Sequence, residues 1–191
     1  MARERKFTTE DLFQKTKKLL LELGYEGFTI RLLAKELGVT RAAIYKYYEN
    51  KDELISDFML YEMNQFMSDL KKLDEISDFE NQFEFLLRAI LKHDKIHQVL
   101  GMIFLIPKQG NERMAENKKK LNQMHVQMYE RLQQLIEKGK KQRKIKSHLP
   151  DELIIGMIFQ TISIPNSSPI SDERWFASMK EMVAYGIFNH D

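Results

Sequence analysis

Apolar residues return every three or four positions along most of this 191-residue sequence, and no stretch of it alternates apolar with polar residues. A period near 3.6 buries one face of a helix, whereas a half-buried strand needs a period of two. Breakers are also sparse, at 8 Gly and 4 Pro, which favours long helices over many loops. Hydrophobic residues make up 43% of the chain, enough apolar surface to build a core and to exclude disorder as the main state. With Cys at 0, disulfide scaffolds and thiolate metal sites are excluded. The expected class is all-α, with about nine helices.

Capping signals set the expected boundaries. Thr8 and Asp11 open a first helix over 9–23 that Gly24 stops. Thr29 caps a short helix, Ile30 to Leu37, ended by Gly38, and Thr40 caps another that runs to Tyr47. Asn50 and Glu53 have the spacing of a capping box. Further helical stripes cover 79–93, 95–106 before Pro107, and 112–138 before Gly139. One more runs from Pro150 to Pro165, and a last one is capped by Ser171. The longest apolar run, Val99 to Pro107, is far too short to span a bilayer. The N-terminal Arg3, Glu4, Arg5 and Lys6 precede no apolar signal core. A soluble cytoplasmic protein with no membrane partner is expected.

Charge is unevenly placed. Residues 1–51 hold 11 Lys/Arg against 7 Asp/Glu, and the remainder holds 19 against 21. A basic module on a mildly acidic larger one suggests a polyanion at the N-terminal end. There, two short helices join through Gly38, Val39 and Thr40 as a helix-turn-helix candidate. On a helical wheel Ile44 and Tyr48 point to the core, while Ala42 and Lys46 point away, flanked by Ala43 and Tyr45. Small residues at the front of a reading helix let it approach base edges. Ala42 and Ala43 would pack on thymine methyls, and Arg41 would reach guanine O6 and N7. Tyr45, Lys46 and Tyr47 would donate to phosphates. Lys51 opposes the dipole at its helix start unless a phosphate docks there, and Thr29 and Arg31 offer the same kind of contact.

The stretch Phe28 to Leu54, FTIRLLAKELGVTRAAIYKYYENKDEL, resembles the DNA-binding domain of the tetracycline-repressor (TetR) family of transcriptional regulators. Thr29, Leu33, Ala34, Gly38, Val39, Thr40, Ile44, Tyr45, Tyr47, Tyr48, Lys51 and Leu54 carry the likeness, with Tyr48 where Phe is more usual. The resemblance implies a DNA-binding domain over 1–51, with Thr40 among its contacts, and a ligand-binding and dimerisation domain over 52–191. It implies a homodimeric repressor on palindromic operator DNA, released by a small-molecule effector. The last two helices would form the dimer interface. Their apolar Ile154, Ile155, Ile158, Phe176, Met179 and Val183 need burial.

A pocket follows from the same resemblance. With 11 Met in the chain, soft interiors suit a small apolar or aromatic ligand. Met63, Phe66, Phe83, Leu86, Phe104, Met124, Met128 and Phe159 are the expected lining. The alternative is a DNA-binding dimer controlled by a protein partner, or by no ligand. His93 and His97 lie four apart but lack a third ligand, so hydrogen-bonded or exposed histidines are expected rather than a metal site. No paired acid and base, Gly-rich phosphate loop or nucleophile elbow occurs. Neither catalysis nor a cofactor is expected. The basic run Lys138 to Lys146 reads as a solvated, mobile loop. The arm of Arg3, Arg5 and Lys6 would enter a minor groove.

Overall fold

The computed structural model describes residues 7–93, 111–161, 164–167 and 169–189. Among them are eight α-helices: α1 (Thr9–Gly27), α2 (Ile30–Glu36), α3 (Arg41–Tyr45), α4 (Lys51–Lys71), α5 (Phe79–Lys92), α6 (Glu112–Lys141), α7 (Asp151–Gln160) and α8 (Asp172–Ile187). A 3-10 turn, Lys72–Glu75, follows α4. No strand occurs among the described residues, where Ile145 and Phe188 form an isolated antiparallel bridge. The fold is all-α. The expected helix over 95–106, its stop at Pro107, the arm of Arg3, Arg5 and Lys6, Phe104 and His97 lie outside the described residues. None of the described helices is long and apolar enough to cross a membrane.

Local chemistry accounts for the helix starts. Thr8 Oγ1 accepts the Asp11 N–H at 3.0 Å, and Asp11 answers by accepting the Thr8 N–H at 3.2 Å, a complete capping box. Asp78 caps α5 and Ser171 caps α8 through their side-chain oxygens. Gly24 breaks the first helical run at φ 67°, and one further turn reaches Gly27. Gly139 does not stop α6. The helix continues to Lys141, and Arg143 takes the left-handed conformation at φ 58°. A Cβ on Gly139 would sit 2.6 Å from the Phe79 ring and 2.8 Å from Ile145 Cδ1. Glycine serves close packing there, not termination.

The chain packs as two units. The first holds the described residues up to 64 together with 111–122. Its core gathers Leu12, Leu20, Phe28, Leu33, Ile44, Leu54 and Phe58. Phe13 joins α1 to α4, its ring centroid 5.8 Å from Phe58 and 5.0 Å from Tyr61. Met63 belongs to this core.

The second unit holds the described residues from 65 to 93 and from 123 onward. Phe66, Phe83, Leu86 and Met128 are buried in it, while Met124 and Phe159 are half-buried. Of these, Phe83 and Leu86 line an apolar cavity of about 10 Å³, with Phe79, Leu132, Leu135, Ile136, Ile145, Ile155 and Ile158. That is room for about one water.

The expected interface residues need correction. Ile154, Ile155, Ile158, Phe176, Met179 and Val183 are all buried within the single chain. Ile155 and Ile158 wall the same cavity as Phe83, and the Arg88 guanidinium lies 3.9 Å from the Phe176 ring centroid. The most apolar stripe of each helix goes to the chain's own core first. What α7 and α8 leave exposed is a second apolar set: Leu153, Met157, Met182 and Tyr185.

The basic run is anchored rather than free. Lys138 donates to Gln82 Oε1 and Lys144 to Glu80 Oε1, both at 2.8 Å. Lys146 donates to the Gly186 carbonyl at 3.0 Å. His93 is buried at the end of α5, with Nε2 3.0 Å from Asp69 Oδ2. Lys72 and Lys92 also donate to Asp69, at 2.8 Å and 2.7 Å. Burial pushes the Asp69 carboxyl up, but these donors outweigh it and hold the group well below the usual carboxylate range.

Candidate nucleic-acid interface

Helices α2 and α3 are short, and the turn between them sets the geometry. Thr29 begins α2 by accepting the Leu32 N–H at 3.2 Å. Gly38 turns the chain at φ 65°, a left-handed conformation that favours glycine, with nothing within 4 Å of its Cβ position. The Val39 N–H closes the turn on the Ala34 carbonyl at 2.9 Å. Thr40 then starts α3 with extended backbone, and its hydroxyl makes no cap hydrogen bond. The helix ends at Tyr45, two residues before the expected end. The Tyr47 N–H bonds the Ile44 carbonyl at 2.9 Å in a tighter last turn.

Two faces of α3 separate cleanly. Ile44 is fully buried and Tyr48, just beyond the helix, is 4% exposed. On the other side Arg41, Ala42, Tyr45 and Lys46 line a shallow groove open to solvent. Tyr45 is 51% exposed, Tyr47 is exposed, and Ala43 is half-buried. No described acid is within ion-pair reach of Arg31, Arg41 or Lys46. A guanidinium and an ammonium thus flank a methyl group on an uncluttered surface, which suits an acidic, grooved partner.

Thr29 and Arg31 sit at the start of α2 and Lys51 at the start of α4, outside that groove. Lys51 is half-buried and already engaged. Its Nζ donates to the Tyr25 carbonyl at 3.1 Å and lies 4.2 Å from the Tyr25 ring centroid. The Tyr25 hydroxyl donates to Asp52 Oδ1 at 2.6 Å. Burial, and then this carboxylate, hold the phenol above its ordinary range. The unfavourable cation at the helix start therefore finds its first compensation inside the protein.

One cluster escaped sequence reasoning. Arg113, in the first turn of α6, reaches Tyr47, Glu53 and Asp57. Asn111 and Asn117 flank it, donating to Glu49 Oε2 at 3.1 Å and Asp57 Oδ1 at 2.6 Å. A signal existed: a cation in a helix's first turn is unfavourable unless an anion meets it.

The family profile for bacterial regulatory proteins, tetR family, matches residues 12–57, which span α2, the groove-bearing α3 and the start of α4. Over that segment the chain matches the tetR family of transcriptional regulators. An uncharacterized HTH-type transcriptional regulator of Haemophilus influenzae is 34% identical over 82 residues, 42% of this chain and 44% of that protein. This chain therefore matches less than half the length of that relative. The fatty acid metabolism regulator protein of Bacillus subtilis is 24% identical over 182 residues, 90% of this chain and 91% of its own. Among solved structures, AibR in complex with isovaleryl coenzyme A and operator DNA has a TM-score of 0.71 at 17% identity, covering 94% of this chain and 97% of AibR. FadR from Bacillus subtilis in complex with stearoyl-CoA has a TM-score of 0.64 at 21% identity, covering 94% of this chain and 100% of FadR. Identities this low show a shared fold.

Proposed function

We propose that this tetR-family chain is a homodimeric transcriptional repressor that binds palindromic operator DNA and is released by a small-molecule effector. The exposed face of α3, with Arg41, Ala42, Tyr45 and Lys46 standing opposite a fully buried Ile44, carries the reading. Residues 1–51 contact DNA, and 52–191 hold the effector and the partner subunit.

The mechanism follows from the face. Ala42 admits the helix close to base edges, where Arg41 meets a guanine in the major groove. Tyr45, Lys46 and Tyr47 donate to phosphates, as do Thr29, Thr40 and Arg31. Lys51 joins them by leaving the Tyr25 ring for a phosphate at the start of α4. A two-fold dimer sets two such helices about 34 Å apart in successive major grooves. The exposed apolar set of Leu153, Met157, Met182 and Tyr185 supports self-association through α7 and α8.

The effector class we put forward is an acyl group carried as a coenzyme A thioester. The ligands named for AibR and FadR support that class. The effector acts by binding better to the conformation with the wrong spacing of the two reading helices, which shifts the population off DNA.

Fluorescence anisotropy tests the reading. Duplexes selected by the protein from a random pool should bind far more tightly than random duplex of equal length. Arg41→Ala should lose about 1–3 kcal/mol on the selected duplex and relax one position per half-site. Stearoyl-CoA or isovaleryl-CoA should release the complex. Equal binding of all duplexes by parent and Arg41→Ala would remove α3 as the reader. Indifference to both thioesters would remove this effector class.

A further inference from the structure

The end of the reading helix is held from outside the helix-turn-helix. Arg113 Nη1 donates to the Tyr47 carbonyl at 3.2 Å and to Glu53 Oε1 at 3.0 Å. Its Nε donates to Asp57 Oδ1 at 3.2 Å, and Nη2 bonds the same carboxylate. The guanidinium carbon lies 5.1 Å from the Tyr48 ring centroid. Glu53 is buried, and its second oxygen accepts the Glu49 N–H at 2.7 Å. The Glu53 N–H in turn donates to Asn50 Oδ1 at 2.9 Å.

One side chain therefore touches three parts of a single turn. It bonds the carbonyl two residues past the last residue of α3, lies against the ring that anchors α3, and bonds the carboxylate in the first turn of α4. Carbonyls at a helix end lack intrahelical partners, so an outside donor fixes them. Arginine alone has a planar fork of five N–H donors able to serve three acceptors at once. Arg113 is also half-exposed, so its hold on the turn is adjustable rather than sealed in the core.

We infer that Arg113 is a positioning residue for DNA recognition. This rests on the reading of α3 as the DNA-contacting helix. Arg113 holds the turn from α3 to α4 in its binding geometry before DNA arrives, so that Tyr45, Lys46 and the start of α4 meet the backbone already ordered. Ordering that turn in advance removes part of the entropy loss of association.

The test compares the full-length parent with Arg113→Lys and Arg113→Ala. Lysine keeps the charge beside Glu53 and Asp57, so the fold survives, but an ammonium cannot span all three acceptors. Three measurements are made: thermal melting, amide hydrogen exchange of residues 44–50 without DNA, and binding to a selected duplex across salt concentrations. Arg113→Lys should melt near the parent and exchange faster at 44–50. It should bind the selected duplex about tenfold more weakly, which is about 1.4 kcal/mol. Its salt slope should match the parent's, because no phosphate contact is lost. Arg113→Ala should move the same readouts further.

Parent-like exchange and affinity in both variants would overturn the inference. So would a salt slope lowered by about one unit, which would make Arg113 a phosphate ligand itself. An affinity loss that vanishes after correction for the unfolded fraction would leave only a structural role and also overturn it. A parent that binds no duplex would sink the DNA reading and this inference together. A binding parent with unchanged variants would sink this inference alone.

Discussion

Ile44 and Tyr45 are adjacent on α3, and their alanine variants should fail in opposite ways. Ile44 is fully buried. Ile44→Ala removes three carbon groups, a transfer loss of about 2.4 kcal/mol at about 0.8 per group. Leu33, Tyr48 and Leu54 of the same unit are buried as well, and a packed core collapses only in part around a deletion, so a cavity adds about 1 kcal/mol. The expected destabilisation is about 3–4 kcal/mol, within the usual range for such changes. Tyr45 is 51% exposed, so Tyr45→Ala should change stability by less than about 0.5 kcal/mol. It should instead weaken DNA binding by about 1 kcal/mol, the net worth of one hydrogen bond. Urea unfolding followed by circular dichroism gives the first quantity. The midpoint should fall for Ile44→Ala with an unchanged slope. Anisotropy on a selected duplex, at a temperature where both variants are folded, gives the second. An Ile44→Ala variant with parental stability and lost DNA binding would mean that the two faces of α3 are reversed.

Three other expectations follow from the packing. Gly139→Ala should destabilise the chain by about 1–3 kcal/mol through overpacking against Phe79 and Ile145, although alanine is the better helix former; thermal melting decides the sign. Asp69 has a folded pKa below its unfolded value of about 3.9, so its contribution is complete above that pH and is lost as pH falls through the folded value. Asp69→Asn should therefore cost about 2 kcal/mol at neutral pH and flatten the acid limb of the stability curve. Met182→Glu and Leu153→Glu, at sites 71% and 60% exposed, should leave the fold intact and abolish self-association in light scattering, whereas Ile158→Asp should unfold the chain by burying an unpaired charge. A stable dimer from both glutamate variants would remove this face from the interface.

Signals that act within one turn were legible from the residues alone. Thr8 with Asp11, Thr29, Asn50 and Ser171 cap as their spacing predicts, whereas the Glu53 carboxylate returns to the Glu49 N–H rather than to Asn50, and Thr40 makes no cap hydrogen bond. The α3 faces were legible for the same reason: a helical wheel separates Ile44 from Ala42 without any knowledge of neighbours. Features set by distant packing were not. Gly139 looks like a stop until Phe79 is seen against it. Residues 153–158 are apolar on most sides, so the wheel shows two stripes and cannot say which one the chain buries itself. Arg113 lies 60 residues from Glu53, and no local pattern joins them.

Helix α3, proposed above as the reader of DNA, is five residues long, little more than one turn. A segment that short has no helical stability of its own in water, because nucleation outweighs so few hydrogen bonds. Its shape is imposed by the residues behind it, Ile44 and Tyr48, and by the neighbours that grip its end. The outward residues contribute almost nothing to whether the helix exists. Arg41, Ala42, Tyr45 and Lys46 can therefore be exchanged in succession while the protein stays folded at every step. Descendants of one such chain can drift from one DNA sequence to another through viable intermediates, and the helix-turn-helix can outlast each of its targets.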